Sequence, residues 1–261
     1  MSLCEPIHPD ELVGEVHAWE INPSLISSTE LHGCCFDWLS AEERMAWERF
    51  SSAKLRHDYL AARALCRSSL SRYAPVKPHQ WRFGRGAQGK PFISEPADFN
   101  QLSFNLTHTL DLAVLVVGVI VDVGVDAEEI SEAVDVSEIE RHFLSAEDRV
   151  ELAHLTGNAR TARFFETWVG KEAYLKGCGT GLSRSPSSFT IPQCNLDGLC
   201  DYDGWQISMH KPSAKHVAAV AVRCVSGRML IRWRAAQLPL QRSVVNPTTP
   251  VEERRMPHNI E

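Results

Sequence analysis

The stretch Leu39–Phe50, LSAEERMAWERF, is echoed by Leu144–Leu155, LSAEDRVELAHL, and the echo decides how the chain divides. In each copy a serine (Ser40, Ser145) stands at a helix N-cap position and an acidic residue (Glu43, Asp148) follows three places later. The serine hydroxyl accepts from an otherwise orphaned helical N–H, and the carboxylate reaches back to the N–H of the cap. Both copies run on into long helical patterns, LRHDYLAARALCRSSL from Leu55 and ARFFETWVGKEAYLKG from Ala162. Leu60, Ala64 and Leu65 share one face of the first pattern, and Phe164, Phe165, Trp168 and Leu175 share one face of the second. The matching sequels predict an internal duplication.

Strand patterns support the same division. EVHAWEI (Glu15–Ile21), LSFNLTH (Leu102–His108), LAVLVVGVIV (Leu112–Val121) and VGVDAEE (Val123–Glu129) are β-branched and apolar. Further on, SFTI (Ser188–Ile191), WQISMHK (Trp205–Lys211), HVAAVAVRC (His216–Cys224) and MLIRWRA (Met229–Ala235) read as strands. Short connections between the last three favour antiparallel pairing, and each long helix must cover one face of a sheet. The expected fold is therefore α+β, with two similar halves, each a small antiparallel sheet packed on a long helix. The halves are residues 1–120 and 121–240; residues 241–261 contain scattered prolines with little apolar periodicity and read as a flexible tail.

Composition narrows the function classes. The 261 residues, 44% of them apolar and 23% charged, describe a soluble globular chain with room for a sizeable core. A net charge of −6 leaves no overall electrostatic footprint for nucleic acid. The first residues, MSLCEPIHPDELVG, lack the basic and apolar regions of a secretory signal, and no apolar run is long enough to span a bilayer. The eight cysteines form no CxxC pair or zinc-ligand spacing and are expected to be reduced thiols in a cytoplasmic protein.

In VGVDAEE, strand alternation points Asp126 and Glu128 to the same side. Two carboxylates together repel unless a cation or water lies between them; they are either a solvated strand end or two ligands of a hard divalent ion. On the helix FFETWVGKEAYLKG, Trp168, Glu172 and Lys176 are spaced by four and share a face. Glu172 and Lys176 are either an ordinary surface ion pair or a third ligand with a neighbouring cation. The following Gly177, Gly179 and Gly181 suit both a helix end and a close backbone approach to a ligand.

Taken together, GVDAEE and FFETWVGKEAYLKGCGTGL resemble the paired signature of the 4'-phosphopantetheinyl transferases, in the monomeric surfactin-type (Sfp-type) branch. The second motif is matched at Trp168, Lys171, Glu172, Ala173, Lys176, Gly179, Gly181 and Leu182. GRGAQGKPFI (Gly84–Ile93) resembles the family's G-K-P loop, and FNLTHT (Phe104–Thr109) its F-N-[IL]-S-H segment. The resemblance spans roughly residues 40–190, and a doubled, pseudo-twofold architecture is characteristic of that branch.

The resemblance implies transfer of the phosphopantetheine arm of coenzyme A to a serine of an apo acyl or peptidyl carrier protein, with release of adenosine 3',5'-bisphosphate. It implies Mg²⁺ or Mn²⁺ held by Asp126, Glu128 and Glu172. Lys176 would neutralise the departing phosphate, and Glu172, or a water it holds, would accept the serine proton. Coenzyme A would be gripped by Arg63, Arg85, Lys90, Thr107 and His108, with His108 on the 3'-phosphate and Thr107 on the pyrophosphate. A monomer meeting no nucleic acid and no membrane is expected. The chain departs from the family at Glu43 and Ala46, where some members carry basic residues; Arg44 and Arg49 are the nearest substitutes. Thr107 replaces a common serine and Ala127 a common isoleucine. The absence of a Walker motif or kinase-like set argues against the commoner Mg²⁺-dependent nucleotide enzymes. A non-catalytic module binding coenzyme A or a carrier protein is the alternative reading.

Overall fold

The protein's structure, a computed structural model, describes residues 7, 12–131, 136–194, 198–224 and 227–240; the expected tail at 241–261 lies outside the described residues. In chain order it opens with β1 (Glu15–Ile21), α1 (Ser28–Cys35), α2 (Ala41–Arg49), α3 (Ala53–Leu70), β2 (Arg82–Arg85), β3 (Pro91–Glu95), β4 (Leu102–Thr109) and β5 (Leu112–Val119). It continues with β6 (Val123–Glu129), α4 (Val136–Phe143), α5 (Ala146–Ala153), α6 (Gly157–Cys178), β7 (Leu199–Tyr202), β8 (Trp205–Ser213), β9 (His216–Arg223) and β10 (Leu230–Ala235). Helix and sheet are both substantial, as the α+β expectation requires.

Among the described residues the strands form two four-stranded sheets, ordered β10-β1-β5-β4 and β6-β9-β8-β7, and a separate β2-β3 ribbon. The apolar runs of β5 and β9 explain how they stack, because a strand without polar alternation must be covered on both faces. Ala113, Leu115 and Val117 of β5 pack with Leu60, Ala64 and Leu65 of α3. Val114 and Val116 point the other way, into a core shared with Val123 and Val125 of β6 and Val220 and Val222 of β9. The alternate residues of β9, Val217, Ala219 and Ala221, pack with Phe164, Val169 and Ala173 of α6. The result is four layers: α3, first sheet, second sheet, α6. Each fully buried aliphatic side chain contributes about 1.5–3 kcal/mol to this stack.

Both expected capping boxes are present. Glu43 N–H donates to Ser40 Oγ (3.2 Å) while Ser40 N–H donates to Glu43 Oε2 (2.9 Å), and Ser145 with Asp148 repeats the exchange at 3.1 and 2.9 Å. Each carboxylate also receives a buried cation from the following long helix. Arg67 of α3 donates to Glu43 (2.6 Å) and to the carbonyls of Pro78 (3.1 Å) and Trp81 (2.9 Å). Lys171 of α6 donates to Asp148 and to the Pro186 carbonyl (2.9 Å). Arg67 and Lys171 are both fully buried, so each pair fixes its short helix against its long one.

Two strand expectations are corrected. MLIRWRA does not extend the antiparallel run: β10 pairs in parallel with β1, in the first sheet. Both edges of β9 are already taken, by β6 and β8, so the next strand has no place beside it. The side chain of Gln206 holds the crossing chain at both polar groups of Met229, and Arg232 then binds Glu15 across the new pair (2.6 Å). SFTI forms no strand; Phe189 instead inserts among Tyr174 and Tyr202, with ring centroids at 5.3 and 5.7 Å.

The close approach of β6 to α6 depends on Gly124. A Cβ on Gly124 would lie 2.1 Å from the Ala173 carbonyl oxygen and 2.3 Å from the Gly177 nitrogen. These are backbone atoms in a packed core, so they can yield only if the helix moves. Gly124→Ala is therefore expected to lower stability by about 1–3 kcal/mol, read as a lowered urea midpoint. Gly33→Ala in α1, where nothing lies within 4 Å, serves as the control and should not lower it. An unchanged midpoint for Gly124→Ala would contradict the close contact.

Candidate active site

Strand alternation places Gly124, Asp126 and Glu128 on the face of β6 opposite Val123, Val125 and Ala127, which are committed to the inter-sheet core. That face looks at α6, where Glu172 and Lys176 lie on neighbouring turns. Lys176 Nζ donates to Asp126 Oδ1 at 2.5 Å, and Thr107 Oγ1 donates to the same oxygen at 3.2 Å. Asp126 is buried, and its other oxygen, Oδ2, has no hydrogen-bond partner.

The electrostatics report crowding of like charge. Burial raises the pKa of Asp126 despite the Lys176 ammonium beside it. Glu128 is pushed up to about 7, by burial first and then by the negative charge of Asp126 and of Glu172. Glu172 is raised by burial and by Asp126. Three carboxylates thus sense one another around a single ammonium. Among the described residues, no three His, Cys, Asp or Glu side chains are drawn into a ready-made metal cluster; Lys176 supplies the countercharge in this conformation. The donor set nonetheless fits a hard divalent ion: all oxygen, mutually repulsive, and including one buried carboxylate oxygen with no proton donor.

The first sheet meets this site along β4. Asn105 Oδ1 accepts the Val125 N–H of β6 at 3.1 Å, bridging two strands that belong to different sheets. Alternation puts Asn105 and Thr107 on the β6 side and His108 on the α3 side. His108 stands edge-on to Tyr59, with ring centroids 6.3 Å apart. Crowded surroundings, then the Arg63 guanidinium, hold its imidazole below the ordinary range, an effect moderated because the side chain is exposed. Arg63 lies over the Tyr59 ring (4.8 Å), 4.0 Å from Glu43, and its Nε has no hydrogen-bond partner.

Lys90 belongs to the other side of the site. Its ammonium donates to the Gly177 carbonyl (2.6 Å) and reaches Asp122 (3.3 Å), capping the end of α6, which Gly179 terminates in the left-handed conformation (φ 65°). Between the Lys90 loop and the end of α6 lies a cleft of about 330 Å³, lined by Gln88, Lys90, Asn105, Glu172, Lys176 and Arg184 among others. Glu172 and Lys176 therefore face the cleft. Arg85 is exposed at the end of β2 and does not line it, and Arg44 is spent on Asp37 (3.3 Å). Sequence reasoning missed Asn105 and Arg184 as site residues. Asn105 shares the face of Thr107 two residues away, a signal that alternation carried; Arg184 had none. Lys171, inside the signature, points away from the cleft into its pair with Asp148.

The Glu128 shift gives a pH signature with a definite sign. A carboxyl whose folded pKa rises from 4.5 to about 7 binds protons more tightly in the folded state. Its stabilising contribution is complete below 4.5 and disappears as pH rises through 7. In metal-free protein, Glu128→Gln is expected to raise the urea midpoint relative to the parent at about pH 8, with the gain shrinking toward about pH 5. A gain independent of pH would contradict the crowding.

Comparison with known proteins bears on what such a site belongs to. Residues 122–221 match the 4'-phosphopantetheinyl transferase superfamily, and residues 27–119 match the 4'-phosphopantetheinyl transferase N-terminal family. The chain is 29% identical over 221 residues to the 4'-phosphopantetheinyl transferase HetI of Nostoc sp., spanning 84% of this chain and 92% of HetI. It is 32% identical over 203 residues to a phosphopantetheinyl transferase of Thraustochytrium sp., spanning 70% of each. To the 4'-phosphopantetheinyl transferase Sfp of Bacillus subtilis it is 28% identical over 177 residues, spanning 68% of this chain and 73% of Sfp. The match runs through both sheets and both long helices, and the chain belongs to the 4'-phosphopantetheinyl transferases of the Sfp type.

Proposed function

We propose that the protein transfers the 4'-phosphopantetheine arm of coenzyme A to a serine hydroxyl of an apo acyl or peptidyl carrier protein, releasing adenosine 3',5'-bisphosphate. The observation that carries the reading is the meeting of Asp126, Glu128, Glu172 and Lys176 between β6 and α6, beside a cleft. Phosphoryl transfer asks for positioning and charge neutralisation rather than covalent work by the protein.

Asp126, Glu128 and Glu172 would hold a Mg²⁺ or Mn²⁺ ion. Bound there, the ion supplies Lewis-acid neutralisation of the pyrophosphate. Lys176 then has a second use for its ammonium, on the phosphate oxygens that gain charge as the arm departs. Glu172, or a water it holds, would accept the serine proton. Thr107 would donate its hydroxyl to the pyrophosphate. His108 and Arg63, together on the α3 side, would take the 3'-phosphate. Lys90 and Arg85 would lie toward the adenine, on the ribbon side of the cleft.

The doubled organisation is part of the same proposal: residues 1–120 bind the nucleotide and residues 121–240 hold the metal and the reacting groups. Supporting this are the two capping boxes, their two buried cations, and two family matches that adjoin between residues 119 and 122. No helix among the described residues is long and apolar enough to cross a membrane. The enzyme would act as a cytoplasmic monomer.

Incubation with coenzyme A, Mg²⁺ and apo carrier proteins, followed by intact-mass measurement, tests the reading: the carrier should gain the arm. Asp126→Ala and Glu172→Ala should each abolish the gain while circular dichroism stays unchanged, and Lys176→Ala should lower kcat more than coenzyme A affinity. Turnover retained in both carboxylate variants would exclude this site. His108→Ala should weaken coenzyme A at least about tenfold more than 3'-dephospho-coenzyme A, the size of one lost charge-assisted contact. Equal losses would remove His108 from the 3'-phosphate.

A further inference from the structure

Cys194 and Cys200 take no part in the proposed transfer. Cys200, on β7, is 7% exposed in the core beneath α6, and Cys194 packs against the same core from a partly exposed position. Their sulfurs are in contact, 2.8 Å apart against about 2.0 Å in a disulfide bond. We propose that Cys194 and Cys200 are an oxidisable dithiol, closing to an intramolecular disulfide on reaction with a hydroperoxide.

Their environments assign the order of events. The Cys200 thiol is held protonated, by its hydrogen bond to Cys194 and then by burial. Cys194 is lowered by that same hydrogen bond, with the Arg163 guanidinium assisting against burial. Cys194, partly exposed where Cys200 is buried, is the sulfur a peroxide reaches first, and the direction of its shift agrees. Its thiolate attacks the outer peroxide oxygen; the O–O bond breaks, and water or an alcohol leaves with the electron pair and a proton. The resulting sulfenic acid is attacked by Cys200 sulfur, the S–S bond forms, and hydroxide leaves with the Cys200 proton as water. Two thiols and one hydroperoxide become one disulfide, one water, and one water or alcohol. Elsewhere in the chain, burial pushes Cys35 and Cys66 up to about 12, which keeps them protonated and unreactive.

The bridge would tie the segment after Ile191 to β7. Tyr202 of that strand accepts Arg184 Nη2 at 3.1 Å and stacks on Phe189, and Arg184 lines the cleft. Oxidation would therefore stiffen one wall of the site without touching Glu172 or Lys176.

Trypsin leaves both cysteines on one peptide, Ser185–Lys215, because Lys211 precedes Pro212. The folded protein is treated with hydrogen peroxide, denatured in urea with iodoacetamide, digested and weighed. The peptide should lose two hydrogens and carry no carbamidomethyl group, and dithiothreitol should restore two alkylatable thiols. Closure should be on the order of tenfold faster in the folded protein than in urea, since the fold holds the sulfurs in contact. Cys194→Ser, at the partly exposed position, should leave Cys200 fully alkylated after peroxide. Equal rates in both states would overturn the proposal. So would sulfinic acid at Cys194 with Cys200 still alkylated.

Discussion

At Gly124, β6 meets α6 backbone against backbone, with no side chain between, and the site exists because of that contact. Gly124 lacks the Cβ that would strike the Ala173 carbonyl and the Gly177 backbone, and Gly177 lacks the one that would strike the Trp205 ring of β8, so strand, helix and neighbouring strand close together. At an ordinary helix-on-sheet separation, side chains would fill the gap and Lys176 would not reach Asp126. The same contact buries Asp126, and burial is the first cause of its raised pKa. Packing and electrostatics are therefore one constraint: the glycines bring the carboxylates together, and their repulsion creates a demand for positive charge. Lys176 answers it in this conformation; a divalent cation, with more charge and more coordination positions, would answer it more fully.

Rotation of α6 about its axis matters as much as its distance from β6. Lys171 and Glu172 are adjacent, so their side chains leave the helix in directions far apart. Anchoring Lys171 on Asp148 and the Pro186 carbonyl turns Glu172 toward the cleft. A buried ion pair of this kind adds little net stability over a well-packed apolar pair, but losing one partner costs about 3–5 kcal/mol, which makes the orientation hard to escape. The first half builds the same device with Arg67 on Glu43 and the Pro78 carbonyl. Glu43, which departs from the basic residues of some relatives, is thus committed to holding α2 on α3.

Much of this was legible from local pattern. The capping serines with their carboxylates, the long helices, the apolar strands β4, β5, β8 and β9, and the shared face of Asp126 and Glu128 follow from periodicities of two and near four. What was not legible depended on distant partners. MLIRWRA reads as a strand, but its place beside β1 follows from β6 and β8 having taken both edges of β9. SFTI has strand composition, yet Phe189 is drawn into an aromatic cluster that forms only when Tyr174 and Tyr202 arrive from α6 and β7. Lys171 carries no sign in its own helix that it is buried; its partner sits on another helix. The role of Asn105, an amide side chain closing the seam between two sheets, required knowing that β4 and β6 are edge strands of different sheets.

The central claim is that three carboxylates from β6 and α6 share one cation once the ligands arrive. Anomalous diffraction from crystals grown with Mn²⁺ and coenzyme A tests it most directly. The account predicts a single strong peak bonded, at roughly 2.0–2.2 Å as expected for a small octahedral divalent ion, to oxygens of Asp126, Glu128 and Glu172, with Lys176 turned away from Asp126. A peak held by other residues, or no peak while coenzyme A is bound in the cleft and Lys176 still sits on Asp126, would contradict it.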